Sequence, residues 1–162
     1  YGSIGQAVGR IAAAFGMDVC VHSSKPAEQL AGVTKMDIDE LFESCDVVSL
    51  HCPLTDDTRN LADSRRIALM KSTAILINTA RGPLVDEAAL ASALKEGKLR
   101  GAGLDVLCSE PPAHDNPLIS APRCIVTPHI SWATMEARER LLRQAVDNVE
   151  AFISGSPVNV VG

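Results

Sequence analysis

Short apolar runs alternate with helix-like stretches along the chain, and the alternation sets the first expectations. Residues 5–15 are Ala-rich and have helix composition, with Gly16 as the stop signal. Residues 19–21 read as a short buried strand. Asp37 precedes a helix running to about Ser44, with Glu40 placed as in a capping box and Met36 and Leu41 as the hydrophobic staple. Residues 46–50 form a strand pattern, 64–70 a short helix and 74–78 the next strand. Asp86 is placed to cap a helix that ends near Gly97, stapled by Val85 and Leu90. Strands follow at 101–104 and 124–126. The last helix, roughly 134–154, puts Leu142, Ala145, Val146, Val149, Phe152 and Ile153 on one face.

Repeated strand-helix units with short connections predict an α/β fold, a doubly wound parallel sheet of Rossmann type in a single dinucleotide-binding domain spanning 1–162. In such sheets ligands bind at the carboxyl ends of the strands. Arg81, Glu110 and His129 each lie just past an apolar run, so all three are expected near that edge. A guanidinium, a carboxylate and an imidazole there can bind an anionic substrate, tune a base and move a proton.

Composition narrows the partners. The net charge of −5 over 162 residues carries no basic footprint, which argues against nucleic acid. No apolar run approaches the ~18 residues that span a bilayer, so no membrane partner is expected. Five cysteines, odd in number and without C-x-x-C spacing, predict free thiols in a reducing cytosol and a cytoplasmic location. No metal site is expected.

The chain opens, without methionine, on Tyr1-Gly2-Ser3-Ile4-Gly5, two glycines at G-x-x-G spacing ahead of a helix. A dinucleotide fingerprint is G-x-G-x-x-G after a strand, with the helix N-terminus supplying amide donors to a pyrophosphate. The expectation is therefore that the first strand of the sheet lies ahead of Tyr1. About 20 residues past such a turn a carboxylate ordinarily holds the ribose hydroxyls of NAD. Here the region is Val21-His22-Ser23-Ser24-Lys25, with no carboxylate at its tip. Ser23, Ser24 and Lys25 suit a 2′-phosphate, which leans the cofactor towards NADP(H); the alternative is NAD held by Ser23 and backbone.

With these segments in place the chain resembles the cofactor domain of the D-isomer-specific 2-hydroxyacid dehydrogenases. The resemblance rests on Asn78-Thr79-Ala80-Arg81-Gly82-Pro83-Leu84-Val85-Asp86-Glu87, on Gly101 through Val106, on Glu110-Pro111 and on Thr127-Pro128-His129-Ile130. His51 through Thr55, with Thr58, is similar to the family's loop beside the adenosine. The resemblance implies that His129 is the acid/base, that Glu110 orients it and favours its protonated form, and that Arg81 binds the substrate carboxylate. It implies that Asp105 contacts the nicotinamide carboxamide, that Gly2, Ser3, Ile4 and Gly5 cradle the pyrophosphate, and that Cys52, Pro53, Thr79 and Ala80 line the cofactor. The run Pro128-His129-Ile130-Ser131-Trp132-Ala133-Thr134 is similar to the glycerate dehydrogenases and the hydroxypyruvate or glyoxylate reductases. Ser131 stands where many relatives have glycine, beside the nicotinamide. Trp132, the single tryptophan, either walls the substrate pocket or packs at a helix start.

The implied activity is hydride transfer between NAD(P)(H) and a small 2-hydroxy or 2-keto acid, by a homodimer. The alternatives are a dinucleotide-sensing, corepressor-like scaffold of the same fold, or an oxidoreductase acting on formate or phosphite. Formate enzymes of this fold pair the histidine with glutamine, so Glu110 counts against them. The resemblance also implies a separate substrate domain ahead of the glycine turn, towards which the final helix would return. These 162 residues by themselves are then expected to bind cofactor poorly and turn over nothing.

Overall fold

The computed structural model describes residues 1–30 and 32–161. Two compact units are present, Tyr1–Pro128 and His129–Gly162. In chain order the first holds α1 (Ser3–Ala14), β1 (Cys20–Val21), β2 (Thr34–Lys35), α2 (Ile38–Ser44), β3 (Val47–Leu50) and α3 (Ser64–Leu69). It continues with β4 (Ile75–Asn78), α4 (Glu87–Lys95), β5 (Gly101–Leu104) and β6 (Cys124–Val126). Strands β3-β4-β5-β6 form a four-stranded parallel sheet in that order, and β1 and β2 form a separate parallel pair. Parallel strands flanked by helices make this an α/β, Rossmann-like fold.

The strands form where β-branched and aliphatic residues let one chain bury against its neighbours. In β4, Leu76 is fully buried and Asn78 nearly so, while Ile75 and Ile77 are half-buried. β5 is built from Gly-Ala-Gly-Leu because its surroundings leave little room. A Cβ at Gly101 would stand 3.0 Å from the Arg123 carbonyl oxygen, and one at Gly103 would stand 3.0 Å from the Ile77 side chain. The core joins Phe42 of α2, Val48 and Leu50 of β3, Ile67 of α3, Leu76 of β4 and Leu90 and Leu94 of α4. Each such side chain contributes about 1.5–3 kcal/mol by leaving water.

Asp86 caps α4 as expected, accepting from Ala89 N at 3.0 Å, and Asp63, for which the sequence carried no expectation, caps α3 by accepting from Arg66 N at 2.8 Å. At α2 the cap is Asp37, but its carboxylate accepts from Asp39 N at 2.9 Å, so this start is an Asx turn and does not depend on Glu40. β2 was not expected: both its residues are exposed and polar, and only pairing with β1 makes it a strand. Nor did the pattern reveal the ion-pair cluster joining α2 to α3. Asp39 receives both Nη atoms of Arg65, at 2.6 and 2.9 Å, and Nε of Arg66 at 2.8 Å.

The second unit carries α5 (Met135–Ile153), capped by Thr134 through a 3.2 Å bond from Ala137 N. No described residue of α5 is buried, and Leu142, Val146, Val149, Phe152 and Ile153 are all exposed. No helix among the described residues is long and apolar enough to cross a membrane.

Two measurements test this packing. Leu76→Ala, at a fully buried position, should lower stability by about 2–5 kcal/mol in chemical denaturation, and a loss below half a kcal/mol would contradict the core assignment. The guanidinium groups of Arg65 and then Arg66 hold the Asp39 carboxyl down to about 2. A depressed carboxyl stabilises the fold above its unfolded value of about 4, and the contribution is lost as pH falls through the folded value. In the R65A/R66A variant the stability gap to wild type should therefore be largest near neutrality and close between pH 4 and 2 in an acid titration followed by circular dichroism. A gap independent of pH would refute it.

Candidate active site

Because the sheet is parallel and in register, its strands end together. Leu50 pairs with Asn78, Asn78 with Leu104 and Leu104 with Val126. The residues that follow, His51-Cys52-Pro53, Thr79-Ala80-Arg81, Asp105 and Thr127, therefore leave the sheet from one carboxyl edge.

Asn78 organises the middle of that edge. It is 1% exposed; its Nδ2 donates to the Arg81 carbonyl at 2.8 Å and its Oδ1 accepts from Ala80 N at 3.0 Å. Its own carbonyl accepts from Asp105 N at 2.9 Å. One amide side chain thus closes the Thr79–Arg81 turn. The sequence signal for it is an asparagine ending an otherwise apolar strand.

Arg81 itself is exposed. Its Nη1 donates to the Ala80 carbonyl at 2.6 Å, leaving further guanidinium N–H donors on the rim. Asp105 is 4% exposed and accepts from the Thr127 hydroxyl, which ties the ends of β5 and β6 together. Glu110 is exposed and its Oε1 accepts from Leu107 N at 3.0 Å.

The loops bearing Arg81 and Glu110 meet at Gly82. A Cβ there would fall on the backbone of Leu107 and Cys108, so no other residue fits without moving one loop off the other. The first unit therefore brings Thr79, Ala80, Arg81, Asp105 and Glu110 to one rim.

His129, Ser131 and Trp132 lie in the second unit. His129 is exposed and has φ 54°, a left-handed backbone that side-chain-bearing residues take sparingly and that is often found at functional positions. The Trp132 indole N–H donates to the His129 carbonyl at 2.9 Å, and Trp132 is 54% exposed.

The cofactor-side residues form a second group in the first unit. Gly2 is the N-cap of α1 in extended conformation, and Ser3, Ile4 and Gly5 open the helix with first-turn amides that have no intrahelical acceptor. A Cβ at Gly2 would meet nothing within 4 Å, so glycine there is not demanded by the chain's own packing. An exposed helix start with open space at its glycine suits a pyrophosphate. At Gly5 a Cβ would stand 3.5 Å from His51 Cβ, which brings the loop after β3 beside this turn. Burial pushes the Cys52 thiol up and the His51 imidazole down. Thr58 accepts from Thr55 N at 2.7 Å and donates to the Pro53 carbonyl at 2.8 Å, locking the loop beyond Cys52.

At the end of β1, Ser23 is 8% exposed, and its hydroxyl accepts from Lys25 N at 3.2 Å and from the Tyr1 nitrogen at 3.1 Å. Ser24 is exposed and Lys25 half-buried. Lys35, overlooked in the sequence because it belongs to the unexpected β2, reaches this turn: its Nζ donates to the Lys25 carbonyl at 2.7 Å. Among the described residues no group of three or more metal-ligating side chains gathers. All five cysteines are free thiols.

Residues 1–131 match the family described as D-isomer specific 2-hydroxyacid dehydrogenase, NAD binding domain. A hydroxypyruvate reductase of Blautia hydrogenotrophica is 48% identical over 163 positions, covering 99% of this chain and 51% of its own length. A glycerate dehydrogenase of Methylorubrum extorquens is also 48% identical, covering 99% of this chain and 50% of its own length. Among solved structures, the NAD-complexed D-isomer specific 2-hydroxyacid dehydrogenase of Lactobacillus delbrueckii ssp. bulgaricus superimposes with a TM-score of 0.90 at 32% identity. It covers 99% of this chain and 53% of the other. The chain spans about half the length of the curated relatives it matches. By this match and these identities, the chain belongs to the D-isomer specific 2-hydroxyacid dehydrogenase family, and residues 1–131 correspond to its NAD binding domain.

Proposed function

We propose that the protein transfers hydride between NAD(P)(H) and a small D-2-hydroxy acid or 2-keto acid, of the size of glycerate, hydroxypyruvate or glyoxylate. The observation that supports this reading is the approach, at Gly82, of the loop bearing Arg81 to the loop bearing Glu110. The 48% identities to a hydroxypyruvate reductase and a glycerate dehydrogenase support the substrate class.

In the direction of reduction the bound dinucleotide supplies a hydride to the carbonyl carbon. The chain's residues do the rest. Arg81 holds the substrate carboxylate through its remaining N–H donors and polarises the keto group, where negative charge develops in the transition state. By family membership His129 takes the role of acid/base towards the carbonyl oxygen, and Glu110 the role of its partner. Asp105, fixed by Thr127, would hold the nicotinamide carboxamide when the dinucleotide is bound. Gly2, Ser3, Ile4 and Gly5 would receive the pyrophosphate, Cys52, Pro53 and Thr58 would flank the adenosine, and Thr79 and Ala80 would line the cofactor; Ser131 is assigned to the cofactor by the family resemblance alone.

At the ribose the chain's chemistry leans towards NADP(H). Ser23, Ser24 and Lys25, joined by the Lys35 ammonium, present hydroxyl and cationic groups to a 2′-phosphate. A homodimer in the cytoplasm completes the reading; the free thiols accord with a reducing compartment.

Replacing His129 by Asn, or Arg81 by Lys, in the full-length native protein should reduce kcat/KM for glyoxylate and hydroxypyruvate by about 10²- to 10⁴-fold. Retention of a tenth or more of wild-type activity in both would sink the assignment. For the cofactor, Ser23→Asp should move the NADPH-to-NADH ratio of kcat/KM towards NADH by about tenfold or more, since a carboxylate repels a 2′-phosphate. An unmoved ratio would remove the case for NADP(H).

A further inference from the structure

The connection between β5 and β6 runs from Asp105 to Arg123 with no regular element in it, and Glu110 lies on that connection. A segment of that length keeps one conformation only where it is pinned. Two pins, one on either side of Glu110, come from a single side chain, Glu87, the first residue of α4.

Glu87 Oε1 accepts from Cys108 N at 2.7 Å, and Oε2 accepts from Asn116 Nδ2 at 2.8 Å. Asn116 Oδ1 accepts from Leu118 N at 2.9 Å, which fixes the amide so that its nitrogen faces the carboxylate. Leu118 is 1% exposed and anchors the far end in the core. The residue donating to Glu110 is Leu107, whose neighbour Cys108 is held by Glu87. The start of α4 is itself anchored. Asp86 caps the helix through Ala89 N, and Asp86 N donates to the Ala62 carbonyl at 3.1 Å. The carboxylate also sits at the positive end of the helix dipole.

We propose that Glu87 is a positioning residue: its two oxygens clamp the Glu110-bearing loop at Cys108 and Asn116 and so set the place of the Glu110 carboxylate. The inference rests on the reading of Glu110 as the partner of the proton-transferring histidine. It adds a residue that touches neither substrate nor cofactor and acts through hydrogen bonds to the loop. The Cys108 thiol reports on the clamp, because burial and then the Glu87 carboxylate push it up to about 11.

The test uses three variants of the full-length native protein: E87A, E87Q, and E87Q combined with N116D. The double variant rebuilds both bonds, since the new amide oxygen accepts from Cys108 N as before and its nitrogen donates to the new carboxylate, which reverses the polarity of that second bond alone. In E87A and E87Q, amide exchange over residues 107–116 should rise and iodoacetamide should label Cys108 faster. In E87A kcat should fall about 10- to 100-fold while cofactor KM stays within about twofold, as for a misplaced group rather than a lost binding site. The double variant should return exchange, labelling and kcat towards wild type. Unchanged exchange in both E87A and E87Q overturns the clamp. Faster exchange with unchanged kcat overturns the positioning role, and so does a double variant that restores exchange without kcat. E87Q is nearly isosteric and answers the question even if E87A does not fold. Exchange and labelling do not depend on what Glu110 does chemically. Full activity in E110Q would therefore sink the functional reading while leaving the clamp to be judged separately.

Discussion

The close approach of two backbones at Gly82 is the constraint on which the candidate site depends. Where a Cβ would stand, the chain already holds the peptide between Leu107 and Cys108. The loop that leaves β4 with Arg81 and the loop that leaves β5 with Glu110 therefore lie directly against one another. Parallel register explains why both start from the same edge, because Asn78 and Leu104 are partners in the ladder. Register alone would let the loops diverge. The missing side chain lets them converge.

Polar groups then hold what the glycine permits. Asn78 closes the Arg81 turn, Thr127 ties down Asp105, and Glu87 spans Cys108 and Asn116. A hydrogen bond of this kind contributes only about 0.5–1.5 kcal/mol net, yet leaving a buried partner unsatisfied costs about 1–3 kcal/mol. Asn78, at 1% exposure, has no water to fall back on, so its bonds are strongly specified. The consequence is a rim whose turns and loop are held by the chain's own hydrogen bonds, and α4 takes part in it through Glu87.

The nucleotide side follows a different logic, with backbone rather than side chains as the main donor. The first turn of α1 presents amides whose acceptors must come from outside the helix. Gly5 lets the loop after β3 lie close by, through His51. Lys25 and Lys35 meet at the tip of β1 only because β2 pairs alongside it. The tip of β1 carries no carboxylate, and the Lys35 ammonium reaches the Lys25 carbonyl there.

Much of this was legible in the residues themselves. Strands β3 to β6 and the four longer helices announce themselves because apolar periodicity and aspartate or threonine caps are local properties, decided within a few residues. Arg81, Glu110 and His129 stand out in the sequence as candidates because polar groups with chemistry to offer lie just past apolar runs. What stayed hidden were relations between distant positions. Asp39 with Arg65 and Arg66, Lys35 with Lys25, and Glu87 with Cys108 and Asn116 are separated by 10 to 29 residues. The two-residue β2 was hidden for the same reason, since a strand without an apolar pattern exists only through its partner. Sequence by itself determined where chain direction and polarity change, because steric preference and burial act along the chain. Which side chains meet was decided by the tertiary structure, because a hydrogen bond or a close backbone approach depends on positions in space that no local pattern encodes.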